Sequence, residues 1–403
     1  MNFTFPFILD GAMGTRLYKA GMPSGVCPEE WVLAHPEVAL EIQKSYVDAG
    51  SQVLYSPTFG GNPAALKRNG VRCDIAALNR DLVQISRRAA AGKALVAGDI
   101  SSTGCMLYPM GELGFEDLYQ IYLEQASALE KAGVDLFVIE TMTNLAEARA
   151  ALLAVKAVSE KPVFVSFSCG KNGKTMMGTD VCAALGIMQS MGADAFGLNC
   201  SVGPEEMLTQ IRRLSEYAAV PLIAKPNAGL PRSVNGETVY SVTAEEFASY
   251  IPALAEAGVT IFGACCGSDG SFIAAIKNAL AGVPMKAPAP KHTGKLLCAT
   301  EKALFPLDPG TACTGAFPCD EDLEDNLDEL EEGELFAVEI RSAADVDAFS
   351  EIQYAIRNPL CIRCDDAGLL EKALRAYQGR PLYEGSLSNE ALQPLVRKYG
   401  LIV

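Results

Sequence analysis

Eight short apolar runs, each followed by a stretch with helical periodicity, fill the first 285 residues and leave few folds open. The runs are Pro6 to Asp10, Gln52 to Ser56, Ala94 to Asp99, Asp135 to Glu140, Val163 to Phe167, Ala195 to Asn199, Leu222 to Lys225 and Thr260 to Ala264. Between them lie helix-like segments such as Phe115 to Ala132, Leu145 to Val158, Pro204 to Tyr217 and Ala244 to Ala257. Several end in a residue pair suited to a helix C-cap: Ala49-Gly50, Ala132-Gly133, Met191-Gly192 and Ala257-Gly258. Strands that are apolar throughout, not alternately, belong to parallel sheets covered on both faces. Eight such βα units predict a (β/α)8, or TIM, barrel. A doubly wound open sheet shares the alternation, but no glycine-rich phosphate loop follows the first run.

In a barrel the chemistry gathers at the C-terminal ends of the strands. Those ends carry Asp10-Gly11, Thr58-Phe59, Asp99, Glu140-Thr141, Asn199-Cys200, Lys225-Pro226-Asn227 and Cys265-Cys266. Packing alone does not explain polar residues at seven of eight junctions.

The 403 residues divide into a barrel over 1–285, a Pro-rich and then acidic linker over 286–334, and a small βα module over 335–403. The linker contains Asp320 to Glu334, DEDLEDNLDELEEGE, with ten acidic residues and no Lys or Arg, read as a solvated connection or an exposed helix. The module alternates Phe336 to Ile340, a helix to about Ile356, Leu360 to Cys364, a helix over Gly368 to Tyr377, Pro381 to Gly385, another helix, and a final apolar Leu401-Ile402-Val403.

A net charge of −16 argues against nucleic acid or anionic lipid as the main partner. No apolar stretch approaches the roughly 18–20 residues that span a membrane, and no signal-like segment precedes the first strand, so a cytoplasmic protein is expected. Only two histidines are present, His35 and His292, which excludes a metal site built on several imidazoles. In a reducing compartment cysteines seldom form structural disulfides, so those of the thirteen that are not core filler are read as catalytic groups or metal ligands.

Cys200, Cys265 and Cys266 all sit at predicted strand ends. Three thiolates with an open fourth position form a catalytic zinc site, and the glycines around Cys265-Cys266 let the backbone turn so that adjacent side chains face one ion. Three small buried hydrophobes are the alternative. Cys361 and Cys364 form a CxxC inside a predicted strand, away from the helix N-terminus that would lower a thiol pKa. Cys298, Cys313 and Cys319 fall in the linker, where a second metal site is conceivable.

Five ordered segments, DGAMGT (10–15), ETMTNLAEA (140–148), GLNCSVGP (197–204), KPNAGLP (225–231) and GACCGS (263–268), resemble the homocysteine S-methyltransferase family, in the flavour of the N-terminal barrel of cobalamin-dependent methionine synthases. The C-terminal text from Pro359 looks like the opening βα units of the folate-binding, or pterin-binding, barrel of those enzymes, cut short. The resemblance implies that Cys200, Cys265 and Cys266 hold Zn²⁺ and that homocysteine binds as a thiolate and is methylated to methionine. It implies methylcobalamin on a partner domain or protein as the donor. An S-methylmethionine-type donor, or a non-catalytic thiol-binding subunit, is the alternative. Glu140, with Asp10 second, is expected to meet the substrate ammonium. The Gly11 to Gly14 turn and Thr58 are expected to meet its carboxylate, Asn227 to brace the mouth, and Phe59 to wall the methylenes. Two motifs depart from the family: Ser56-Pro57-Thr58-Phe59 in place of TNTF, and Ser101-Ser102-Thr103-Gly104 in place of GPTG.

Overall fold

A computed structural model describes residues 3–403 apart from 109, 235, 236, 287, 289 and 321. Ala287 and Ala289 of the Pro-rich stretch and Glu321 of the acidic run therefore lie outside the described residues. All eight apolar runs are strands: β1 (Phe7–Ile8), β2 (Val53–Tyr55), β3 (Leu95–Ile100), β4 (Leu136–Met142), β5 (Val163–Phe167), β6 (Ala195–Asn199), β7 (Leu222–Lys225) and β8 (Val259–Phe262). They form one parallel sheet in the order β1-β8-β7-β6-β5-β4-β3-β2. The sheet is nearly closed, and Gln52 bridges the seam between β1 and β2. Its backbone N–H donates to the Ile8 carbonyl at 2.7 Å and its side-chain oxygen accepts from the Ile8 N–H at 2.8 Å.

Phe7, Leu9, Val53, Leu136, Val138, Phe164, Ile223 and Ile261 pack together in a separate buried cluster along the strands. The barrel is thus a solid core with chemistry at one mouth, not a pore. The four predicted C-cap glycines, Gly50, Gly133, Gly192 and Gly258, all have positive φ, between 78° and 113°. Side-chain caps fix several helix starts. Asn144, for example, accepts from the Ala146 and Glu147 N–H groups at 2.8 and 3.2 Å and starts the helix Leu145–Val158 directly after β4.

The C-terminal region is a second parallel sheet, of four strands: β9 (Ala316–Pro318), β10 (Phe336–Glu339), β11 (Leu360–Arg363) and β12 (Leu382–Glu384). Its first strand comes from the segment read from sequence as linker, which also folds into an antiparallel hairpin, Leu296–Ala299 with Leu304–Leu307. The acidic run forms a short helix, Leu323–Asp328, whose Leu323 is fully buried. The terminal Leu401-Ile402-Val403 makes only a single bridge, Ile402 to Leu382.

Arg149, on the helix Leu145–Val158, joins the two regions. Only 1% exposed, it donates to the Gln378 side chain and the Leu374 carbonyl, both at 2.9 Å. Arg375 reaches back to Glu116 at 2.8 Å. Among the described residues Arg149 has no carboxylate partner, and burial lowers its pKa to about 10.

Candidate active site

Cys200 directly follows β6 in the left-handed region (φ 61°), and Ser201 shares that conformation (φ 59°). This turn carries the Cys200 side chain over the mouth, and its N–H donates to the Lys225 carbonyl at 3.2 Å. Cys265 and Cys266 follow the end of β8 at Phe262. Cys265 N–H is held by the Pro226 carbonyl at 2.7 Å, Cys266 C=O by the Ala228 N–H at 2.9 Å, and Gly267 (φ 85°) completes the bend. The pleat that would send adjacent side chains to opposite faces has ended by this point. The three sulfurs lie within 4.8 Å of one another, with Cys200 Sγ to Cys266 Sγ at 3.9 Å.

The three thiols and their neighbours shift one another's proton affinity. Cys265, Cys266 and the Asn227 side chain all donate to Cys200, which draws its pKa down to about 3 against the opposing effect of burial. The donors move the other way. Cys266 is pushed up to about 11, and Cys265 is raised well above the usual thiol value, both chiefly by holding a proton against Cys200. The Tyr240 hydroxyl also donates to Cys266. Three soft sulfurs at this spacing suit a thiophilic divalent cation.

Beside the sulfurs is a cavity of about 330 Å³. Its floor holds Asp10, Asp99, Glu140 and Lys225, all less than 8% exposed. Lys225 Nζ lies 3.0 Å from Asp10 Oδ1, 3.7 Å from Glu140 Oε2 and 3.9 Å from the centre of the Tyr55 ring. Asp10 also accepts from the Tyr55 N–H at 2.8 Å. Asn199 donates to Glu140 at 3.3 Å and to Thr141 Oγ1 at 2.6 Å. Among the described residues Asp99 Oδ1 has no hydrogen-bond partner. Burial first, and the Glu140 carboxylate second, raise the Asp99 carboxyl well above the ordinary range. Three carboxyl groups around one ammonium leave a site short of positive charge.

Asp10, Gly11, Phe59, Glu140, Cys200, Cys265 and Cys266 all line the cavity. Gly11 is sterically fixed: a Cβ there would lie 2.7 Å from the Tyr46 ring and 3.0 Å from Ser268 Oγ. Thr58 does not line the cavity, since its hydroxyl donates to the Asp99 carbonyl at 2.8 Å and its N–H to the Ser56 carbonyl at 2.7 Å. Asn227 stands behind Cys200 instead of facing the cavity. Asp99, Asn199, Lys225 and Tyr240 belong to the constellation but were given no role from sequence. The first three are strand-end residues, so the signal was present, whereas their mutual pairing was not. The divergent Ser102-Thr103 pair is anchored outside the cavity on Glu147, by Ser102 Oγ at 2.6 Å and the Thr103 N–H at 2.8 Å.

A family profile described as Homocysteine S-methyltransferase matches residues 7–280. The chain belongs to the homocysteine S-methyltransferase family. It is 30% identical over 292 residues to methionine synthase of Mycobacterium tuberculosis, and 30% identical over 290 residues to that of Mycobacterium leprae. In both cases the match covers 68% of this chain and 24% of the relative, so the chain spans about a quarter of those proteins. Among solved structures, the metallated form of the Escherichia coli homocysteine methyltransferase MmuM aligns with a TM-score of 0.56 at 24% identity, over 68% of this chain and 95% of that one. The apo form of MmuM gives 0.53 over the same shares. The family's barrel is therefore the barrel of β1 to β8. No helix among the described residues is long and apolar enough to cross a membrane.

Proposed function

We propose that the protein transfers a methyl group to homocysteine, giving methionine, with Zn²⁺ held by Cys200, Cys265 and Cys266 and with methylcobalamin on a partner domain or protein as the donor. The observation that carries this reading is the convergence of three sulfurs within 4.8 Å at the mouth of a family barrel, beside a cavity floored with acid. Bound there, Zn²⁺ supplies the positive charge that makes a thiol a thiolate at neutral pH, which removes the need for a general base.

The chain's own residues do the rest. Asp99, whose Oδ1 is unpartnered among the described residues, and Glu140 receive the substrate ammonium, which supplies the positive charge that the floor lacks. Asp10 is already engaged by Lys225 and the Tyr55 N–H, so it acts through Lys225 and not on the substrate. The Gly11 to Gly14 turn is left to meet the carboxylate, because both Thr58 donors are used internally. Phe59, 42% exposed at the rim, walls the methylenes with Pro57. Asn227 and Tyr240 position Cys200 and Cys266 through hydrogen bonds to sulfur. Free thiolates of this kind require a reducing compartment, which supports a cytoplasmic location.

The test is an activity assay with zinc-loaded protein and homocysteine, comparing methylcobalamin with S-methylmethionine. Methionine from methylcobalamin alone is expected. Methionine from the sulfonium alone overturns the donor, and zinc and homocysteine binding without any transfer overturns the enzyme reading in favour of a thiol-binding subunit.

A further inference from the structure

The thirteen cysteines include a second converging set, far from the first in sequence. Cys313, Cys361 and Glu384 place their sulfurs and a carboxylate oxygen within 4.8 Å of one another. From sequence, Cys313 grouped with the linker cysteines and Cys361 with Cys364 in a CxxC; the fold breaks both groupings. Cys361 and Cys364 lie three positions apart on an extended segment, an odd offset, so they leave the sheet on opposite faces. Cys364 packs into the main core and donates to the Asp366 carbonyl at 3.2 Å. Cys361 turns to the other face, in a small cluster with Leu335 and Ala337, against which Leu307, Cys313 and Leu382 pack.

The sheet register explains the convergence. Ala337 pairs with Cys361, and Cys361 with Leu382, so these residues form one row across the face. Glu384, two residues beyond Leu382, is the diagonal neighbour of Cys361 on that face, within reach of a glutamate side chain. Cys313 comes from outside the sheet. Its segment is fixed by the Thr314 N–H on the Leu335 carbonyl and the Ala337 N–H on the Gly315 carbonyl, both at 2.9 Å. The small side chain of Ala337 leaves room for that segment to cross.

Arg363 orients the carboxylate. Its Nη2 donates to both oxygens of Glu384, at 3.1 and 3.0 Å, and its Nη1 to Glu339 at 3.2 Å. Each carboxylate oxygen can accept a further partner. Carboxylates that ligate metals are commonly held this way by a hydrogen-bond donor behind them. The charges also balance: two thiolates and a carboxylate exceed a divalent cation by one negative charge, and Arg363 offsets it.

The geometry points to a second metal site, in which Cys313, Cys361 and Glu384 bind a thiophilic divalent cation, zinc by the chemistry of the donors, with a fourth position open to solvent on the Glu384 side. Its role is to fasten the segment before β9 over the face of the open sheet. The site is independent of the methyltransferase reading.

The test counts metal in the full chain, reconstituted with Zn²⁺ under a thiol reductant and then dialysed. Wild type is expected to hold about two zinc ions per chain, and Cys313→Ser about one. Glu384→Gln should weaken the second ion at least about tenfold while leaving the first unchanged. Because Cys313 is half-buried, a further measurement guards against misfolding: Cys200→Ser loaded with Co²⁺ should show sulfur-to-cobalt charge transfer that Cys200→Ser/Cys313→Ser lacks. Wild type holding about one zinc, all of it lost in Cys200→Ser, overturns the proposal. So does a Cys313–Cys361 disulfide that persists under the reductant.

Discussion

The molecule repeats one construction twice and obtains different results. Both β1 to β8 and β9 to β12 are parallel sheets with helices on one face, and both carry cysteines. In the first, closure brings strand ends to one mouth, so residues from β2, β3, β4 and β7 and from the segments after β1, β6 and β8 share a cavity. The second stops at four strands. Its strand ends do not converge, and the face that a barrel would turn inward is covered by the hairpin and the Cys313 segment. Closure therefore converts a row of unrelated strand ends into a site, while an open sheet leaves only neighbours in register to cooperate.

The sharpest way to break that contrast is at the mouth. Cys266→Ala should lower methyl transfer by about a thousandfold or more, since metal activation supplies several kcal/mol, while global unfolding changes by no more than about 1 kcal/mol. A variant that keeps most of its activity ends the comparison. Next comes the joint between the two sheets. Arg149→Ala leaves a buried carbonyl and amide unpaired and should cost about 2–4 kcal/mol in urea unfolding. If the loss is below about 0.5 kcal/mol, the two regions are coupled by other contacts.

The cavity floor gives a pH-dependent prediction. Asp99 is raised by burial and by Glu140, so the folded protein keeps a proton there that the unfolded chain releases above about pH 4. Stability of the ligand-free protein then falls as pH rises from that point through the folded value. Asp99→Asn removes this slope. Thermal melts should show the variant gaining on wild type more at pH 8 than at pH 5, while its KM for homocysteine rises about tenfold through loss of a charged hydrogen bond. Equal gains at both pH values would contradict the buried-acid account. The smallest effect belongs to the open sheet. Without metal, Glu384→Gln disturbs only a partly exposed pair with Arg363 and should change stability by about 0.5 kcal/mol or less.

The sequence made the barrel legible because its strands are largely apolar along their length and four of the intervening segments end on a glycine of positive φ, Gly50, Gly133, Gly192 and Gly258. The three barrel cysteines were legible for a related reason, as chemistry placed at strand ends. What pairs with what was not. That Lys225 lies between Asp10 and Glu140, or that Asn227 serves Cys200, depends on contacts between residues far apart in sequence. β9 escaped notice because Ala316-Phe317-Pro318 is short, contains a proline and sits at a sheet edge, where pattern is weakest. Thr58 was misleading as a cavity donor because a short turn between Ser56 and Gly61 rotates it onto Asp99.

The seam of the barrel has a consequence for the life of the chain. β1 finds its ladder partner only in β8, and Ala12 meets Ser268, 256 positions away. During synthesis the first strand leaves the ribosome early and waits, beside Gln52, for almost the whole domain to follow. Cys265 and Cys266 arrive with the strand that closes the ring, so barrel closure and assembly of the three-sulfur cage are one late event in the nascent chain.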